Sequence, residues 1–490
     1  MLDQSFSSSN FNLIFLKENR KGNIKKRYLD DSYFEKHNEF LKVLDEKNAL
    51  KKSRPERKLS KEESEEFAKK LKNINKEKED IRNNLFSEYS EIVNDEVNLY
   101  SFDIKYDNQN KIYTSSKDGV SFFTMKQLQK NIHKTFDVIQ ADRNKIIKQV
   151  YNLISDGFPK VVVRTDVKKF YESIPQEKLF EKIFNNTLLS PLSKKFLRRL
   201  FYEFEMIKDS REMLPKKGIP RGFGISAYLS ELYMREIDNE IKSLPDVIYF
   251  ARYVDDIIVV FSPKTKSQIQ DYQSKIKKII NKYHLEIRDG SDNQPSKTFT
   301  YELLESTLPK LEKLTFLGYT FVINKNHSVK IELSCDKLKR YITRIKLSIE
   351  AYNKDSKYDE KRARKMLSDR FKFLIGNYHL NHNKKNIKAG IFYSNQMLSL
   401  NTAGFSSLNT LNKIAYNEFT KINPPPNIGI DKSKLIDFLK GNFCFKRGFE
   451  DKEKYFFSFK FNRKEQSYYQ SKFKRYTNKF EVIKSIWINE

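Results

Sequence analysis

Cysteine is nearly absent: Cys335 and Cys444 are the only two in 490 residues. They lie far apart, so neither a disulfide framework nor a zinc cluster can be built from them, which suits a reducing compartment. Long apolar runs are missing too. No stretch approaches the roughly 20 apolar residues of a membrane-spanning helix. The opening Met1-Leu2-Asp3-Gln4-Ser5 lacks the basic region and apolar core of a secretion signal. These absences predict a soluble, cytoplasmic protein with no membrane partner. With six histidines, little room remains for a His/Asn nuclease cluster. No internal repeat is visible.

Positive charge, by contrast, is abundant. Lys and Arg number 93 against 64 Asp and Glu, a formal net charge of +29. Such an excess attracts polyanions, because cations that neutralise phosphates release condensed counterions. A generic basic surface would read the same way. Apolar residues make up 38% of the chain, enough to bury a sizeable core, and the length suits two to four domains.

The pattern of residues suggests the organisation. A short apolar run, Phe11 to Leu16, precedes a basic stretch, and residues 33–98 read as charged helices. Lys51 to Lys78 is rich in Lys and Glu, with Pro55 as an interruption, as in a solvated helix face or a helical hairpin. Residues 99–125 alternate like strands around two turn signals, Asp107-Asn108-Gln109-Asn110 and Lys117-Asp118-Gly119. Helices are expected over 127–155, 176–213, from Gly224 to about Lys242, over 264–284, and from about 335 onward. Strand pairs are expected over Val247 to Phe261 and Leu303 to Ile323. Phe445 to Phe480 mixes Lys and Arg with Phe and Tyr: either a surface for stacking RNA or single-stranded DNA, or a helical core with exposed lysines.

The residues that carry chemistry are carboxylates. In Tyr253-Val254-Asp255-Asp256, two adjacent aspartates follow an aromatic and precede four β-branched residues. An unpaired carboxylate in an apolar strand is expensive to ionise, so a cation should compensate it. Oxygen ligands of this kind suit Mg²⁺, which takes one or two carboxylates plus substrate phosphates. Asp166 ends the run Val161-Val162-Val163 in a similar setting. On neighbouring antiparallel strands, Asp166 and Asp255 would face each other across two metals roughly 3.5–4 Å apart. Taken singly, Asp255-Asp256 also suits a hairpin turn and Asp166 a helix cap. Together, in this order, they point to a metal site.

These residues resemble the motifs of reverse transcriptases. Tyr253 to Asp256 is similar to the YxDD box, and Asp166 to Tyr171 to the motif in which a catalytic Asp is followed five positions later by an aromatic. Gly218-Ile219-Pro220-Arg221-Gly222 with Ser226 resembles the GxPQGxxxSP motif, and Leu317-Gly318-Tyr319 the primer grip. Arg143 to Ile147 resembles a segment of the fingers, and Lys297 stands for the lysine of a fourth motif. Arg221, Ala227 and Glu231 depart from the usual Gln, Pro and Asn. Those departures, with Arg370 to Asn377 and Gly390 to Asn395, resemble the bacterial abortive-infection and defence-associated enzymes of the unknown-group lineage, the class-three a-component among them.

The resemblance implies an α+β right-hand polymerase: fingers, a palm with an antiparallel sheet, a thumb, and added helical N- and C-terminal regions. The implied division is 1–98 helical extension, 99–330 fingers and palm, 331–400 thumb-like region and 401–490 basic aromatic region. Asp166, Asp255 and Asp256 would be catalytic and hold two Mg²⁺ ions. Arg143, Tyr171, Arg221, Gly222, Ser226 and Lys297 would bind the nucleotide, with Arg143 at the triphosphate and Tyr171 under the sugar. A plain surface arginine is the alternative for Arg143. Implied partners are an RNA template in the form of a noncoding RNA, the DNA product, dNTPs and a second reverse-transcriptase subunit, in antiphage defence. Untemplated or protein-primed synthesis and a non-catalytic RNA-binding scaffold are the competing readings. No RNase H or integrase constellation is visible.

Overall fold

The computed structural model describes residues 2–53, 60–98, 100–208, 215–263, 265, 271–290, 294–304, 311–325, 328–380, 387–401, 405–426, 429–472 and 478–487. The N-terminal third contains α1 (Ser8–Arg20), α2 (Asp31–Ser53) and α3 (Lys61–Asn94), then a hairpin of β1 (Lys105–Asp107) and β2 (Ile112–Thr114). Next come α4 (Gly119–Phe136), α5 (Arg143–Ile154), β3 (Lys160–Asp166), α6 (Phe170–Ser173), α7 (Gln176–Phe184), α8 (Pro191–Lys208) and α9 (Gly224–Lys242). Strands β4 (Val247–Tyr253) and β5 (Asp256–Phe261) precede α10 (Tyr272–Lys282) and β6 (Phe299–Leu303). Strands β7 (Leu311–Phe316), β8 (Tyr319–Asn324) and β9 (Val329–Leu333) lead into α11 (Cys335–Ile375). The remainder holds a hairpin of β10 (Asn377–His379) and β11 (Lys388–Gly390), then α12 (Ser406–Phe419), α13 (Lys432–Asn442) and α14 (Phe445–Glu450), with short helical turns beyond.

One four-stranded antiparallel sheet, in the order β4-β5-β3-β6, is the wall between two cores. Side chains alternate across a strand, and here both faces are covered. Val161, Val163, Ile257, Val259 and Phe261 enter the core that also holds α4, α8 and α9. Val162, Ile258 and Val260 enter the other, with α5, the β7-β8-β9 meander and α11. Burial on both faces is why the β-branched runs are continuous rather than alternating with polar residues. The α+β class with antiparallel sheets is therefore what the chain adopts.

The cores run across the four-part division read from sequence. Phe6 packs edge-on against Phe196 at 4.7 Å, and Phe86 against Phe123 at 4.7 Å. The N-terminal helices thus complete the first core rather than standing apart from it. β9 spans the boundary set at 330. α2 and α3 form a helical hairpin, one of the two readings of the Lys/Glu-rich stretch, with Lys36 paired to Glu77 at 2.7 Å; Pro55 lies outside the described residues.

Several local expectations change. Lys117-Asp118-Gly119 starts a helix instead of turning a strand, because the Asp118 carboxylate accepts from the Ser121 amide at 2.7 Å and caps α4. α10 begins at Tyr272, capped by Asp271, while 264 and 266–270 lie outside the described residues, as do 209–213 at the end of the helix expected to 213. The region after 335 is not wholly helical, since β10 and β11 pair as a hairpin. Helix α11 breaks at Asp359, whose carboxylate accepts from the Arg362 amide at 3.0 Å. In the basic aromatic stretch, Phe445, Phe449, Tyr455, Phe459 and Phe480 are buried, and none of its described aromatics is exposed. Phe456, Phe457, Phe461, Tyr468 and Tyr469 are partly buried.

The N-terminal segment gives a direct test of this integration. Phe11→Ala should destabilise the chain by about 3–5 kcal/mol, the usual cost of emptying a buried aromatic site. Leu16→Ala, on the same helix but 45% exposed, should change stability by no more than about 0.5 kcal/mol. Urea unfolding of the two variants measures both.

Candidate active site

Strands β3 and β5 bring the predicted carboxylates together. Asp166 is the last residue of β3 and stands opposite Asp256, the first of β5. Asp255 occupies the turn between β4 and β5, and its carbonyl accepts from the Val167 amide at 3.1 Å, which ties the turn to the end of β3. Asp166 is almost fully buried. Burial, reinforced by Asp255 and only partly offset by Arg164, pushes the Asp256 carboxyl up to about 6. Burial and the charge of Asp166 raise Asp255 as well.

Three cations answer this concentration of negative charge. Lys297 Nζ lies 3.2 Å from Asp166 Oδ2 and Arg288 Nε 3.7 Å from Asp166 Oδ1. Arg164 Nη2 approaches Asp256 Oδ1 at 3.7 Å. Arg164 and Arg288 were not singled out from sequence, although Arg164 sits two residues before Asp166 on a strand and so shares its face. Among the described residues no three acidic, histidine or cysteine side chains converge tightly enough to form a ready-made metal cage. The donors are hard oxygens, and Asp255 and Asp256 are raised by burial first and by their neighbouring carboxylates second, a cost that a divalent cation would relieve. They fit a metal whose shell is completed by substrate phosphates.

The turn bearing Asp255 is held from beneath. Val254, a β-branched residue, has φ 60°, a left-handed conformation that costs about 1–2 kcal/mol. The Val254 carbonyl accepts from Arg252 Nη1 at 3.0 Å. Arg252 is buried and also binds Glu231, through Nη2 at 2.6 Å and Nη1 at 3.0 Å, and Asp238 Oδ2 at 2.8 Å. Glu231 and Asp238 are seven residues apart on α9, hence on one face. Glu231, a departure from the family pattern, thus has a partner in Arg252 that sequence reading did not identify. A charged residue within the apolar strand β4 was the available signal.

The other predicted residues divide. Tyr171 is half-buried beside Asp255. Burial raises its phenol, an effect that Ser230 opposes and Asp255 reinforces. Lys297 is at Asp166, as described. Arg221 is exposed, and its carbonyl accepts from the Tyr113 amide at 2.7 Å. Gly222 has φ 116°, and a Cβ there would collide with the Tyr113 carbonyl. The close approach that requires glycine is therefore made by the β1-β2 hairpin. Ser226 is buried and donates to the Pro220 carbonyl at 2.6 Å, so its hydroxyl holds the 218–224 turn instead of facing a nucleotide. Arg143 is not brought to the carboxylates. It donates from Nε to the Leu317 carbonyl at 3.1 Å and lies over the Tyr319 ring at 5.1 Å. Leu317 and Gly318, with φ 44° and 76°, make the tight β7-β8 turn, and Tyr319 is buried behind it.

Residues 119–321, which contain this whole arrangement, match the protein family described as "Reverse transcriptase (RNA-dependent DNA polymerase)". Residues 119–321 form a reverse transcriptase domain. No curated protein matches the chain. Among solved structures, telomerase from Candida albicans in complex with a TWJ fragment of telomeric RNA is 14% identical, covering 64% of this chain and 53% of its own, with a TM-score of 0.30. Apo telomerase from Candida tropicalis is 14% identical, covering 65% and 50%, with a TM-score of 0.30. The chain thus spans about half the length of these structures, and a likeness this distant carries no conclusion about it. The reverse transcriptase domain accounts for the carboxylate pair, while α1–α3, the β1-β2 hairpin and all of the chain after β8 lie outside the matched segment.

Two outcomes follow from the site's electrostatics. Arg252→Leu leaves the partly buried Glu231 and Asp238 without their cation and should cost about 3 kcal/mol, read by urea unfolding. A carboxyl raised in the fold binds its proton more tightly there than in the unfolded chain, so ionising it at neutral pH weakens the fold. Metal-free Asp256→Asn should therefore be more stable than wild type above pH 6, on the order of 2 kcal/mol. That gain should shrink as pH falls from about 6 toward about 4, which thermal melts across pH would record.

Proposed function

We propose that this chain is an RNA-directed DNA polymerase, a nucleotidyltransferase that joins deoxynucleotides to a 3′-hydroxyl. The observation that carries the reading is the placement of Asp166 opposite Asp256, with Asp255 in the adjoining turn, inside the reverse transcriptase domain. Asp166, Asp255 and Asp256 would hold two Mg²⁺ ions. Bound there, these would activate the attacking hydroxyl and stabilise the leaving pyrophosphate. Lys297, placed at Asp166 and 43% exposed, can swing to a triphosphate as a charge-assisted donor. Tyr171, beside Asp255, would lie under the incoming sugar and disfavour a ribose 2′-hydroxyl. Leu317, Gly318 and Tyr319 would support the primer end. Gly222 and Ser226 shape the turn that carries Arg221.

The biological setting we infer is bacterial antiphage defence in the cytoplasm, with a noncoding RNA as template and a second reverse transcriptase as partner. The motif departures at Arg221, Ala227 and Glu231 and the segments Arg370 to Asn377 and Gly390 to Asn395 support it. The net charge of +29 suits a nucleic-acid partner. Among the described residues no helix is long and apolar enough to cross a membrane.

The test is extension by purified protein, retaining any co-purifying RNA, with Mg²⁺ and each labelled dNTP. Wild type should incorporate label into DNA complementary to the RNA. Asp255→Asn should lower the rate by at least about a hundredfold, the effect of several kcal/mol of lost charge stabilisation. Equal incorporation by the variant would overturn the assignment of the carboxylates. DNA attached covalently to the protein would replace RNA templating with protein-primed synthesis.

A further inference from the structure

A second, separate concentration of charge lies behind the β7-β8 turn. A cavity of about 310 Å³ opens between the start of α11, the end of that helix and the β11 hairpin strand. Arg143, Lys337, Arg340 and Arg344 line it, and none of its described lining residues is acidic. Tyr341, Phe373 and Tyr378 form apolar walls, and Asn395 closes one end. Asp166, Asp255 and Asp256 are not part of it.

Three of the four cations, Arg143, Lys337 and Arg344, are held by neighbouring groups, while Arg340 is exposed at the rim. Arg143 is fixed by the Leu317 carbonyl, and both Arg143 and Lys337 lie over the Tyr319 ring, at 5.1 and 4.6 Å. Lys337 Nζ donates to the neutral amide oxygen of Asn395 at 3.0 Å. Arg344 lies over the Trp487 ring at 5.3 Å. Holding like charges together in a partly desolvated cavity is unfavourable unless an anion joins them. Burial, with Arg143 and Arg340 beside it, accordingly pushes the Lys337 ammonium down to about 7.

We propose that this cavity binds the phosphorylated end of a nucleotide or nucleic-acid strand. Guanidinium forks suit phosphate oxygens, which they grip with paired donors. The tyrosine and phenylalanine walls suit a sugar or base attached to that phosphate. At about 310 Å³ the space is at the small end of ligand pockets. It holds one nucleotide unit and excludes a duplex. Occupancy draws Arg143 and Lys337 to the ligand, and so bears on the turn formed by Leu317 and Gly318.

The proposal stands apart from catalysis and is tested without it. Full-length protein is held in EDTA, so that the carboxylates cannot retain a metal-bound nucleotide. Binding is then measured for ATP and for one short RNA carrying a 5′-triphosphate, a 5′-monophosphate or a 5′-hydroxyl. A 5′-phosphorylated strand should bind at least about tenfold more tightly than its hydroxyl twin. Arg340→Glu, on the exposed face of α11, should abolish that advantage. Lys42→Glu, an equal change of charge at an exposed site on α2, should keep it. Binding of ATP with the same sensitivity to Arg340→Glu would assign the cavity to a free nucleotide, and binding of phosphorylated strands alone would assign it to a strand end. Calorimetry at pH 8 in buffers of different ionisation enthalpy should also show proton uptake on binding, absent in Lys337→Met. Equal affinity for phosphorylated and hydroxyl strands, with no ATP binding sensitive to Arg340→Glu, would overturn the proposal.

Discussion

Carboxylates forced together on adjacent strands repel each other, and much of the molecule around them answers that repulsion. Asp166 and Asp256 are paired by strand register, so they cannot separate without breaking the sheet. Arg164, Arg288 and Lys297 approach from three directions and compensate only part of the charge, leaving Asp255 and Asp256 raised. The left-handed Val254 and the buried Arg252 beneath it fix the turn from the other side. Such a site is poorly satisfied by itself and well suited to ligands that bring positive charge, which is the property a metal-dependent phosphoryl-transfer centre needs.

Much of this site was legible in the sequence because period and order carry it. Continuous β-branched runs marked the two central strands, and a carboxylate at the end of each marked their meeting point. The glycines at 218, 222 and 224 located the turn before α9. What stayed hidden depends on tertiary partners. Nothing local distinguishes an Arg143 that reaches a triphosphate from one that bonds the Leu317 carbonyl 174 residues away. Ser226 looked available as a donor, but a buried hydroxyl takes the nearest acceptor, here Pro220 O. The Arg252 network was missed because its three members come from two elements, and only their packing joins one cation and two carboxylates into a single hydrogen-bonded cluster.

The peripheral regions were harder to place because composition alone cannot tell a solvated helix from one that completes a core. A few phenylalanines decide it at the N-terminus: Phe6, Phe11 and Phe15 are buried against α3, α4 and α8 despite the charged sequence around them. The C-terminal stretch was ambiguous between a stacking surface and a core, and Phe445, Phe449, Tyr455, Phe459 and Phe480 enter the second core. In both regions long charged side chains cover apolar surface with their stems while their heads stay in water.

The contact of Phe6 with Phe196 has a consequence for synthesis on the ribosome. Gln4 likewise bonds the backbone at Leu188 and Ser190. The first helix emerges long before the segment that completes its surroundings exists. At roughly 5–20 residues per second, that interval is on the order of 10–40 s. Over that time Phe6 lacks its native partner, so the nascent chain presents an aromatic side chain that a holding chaperone would recognise.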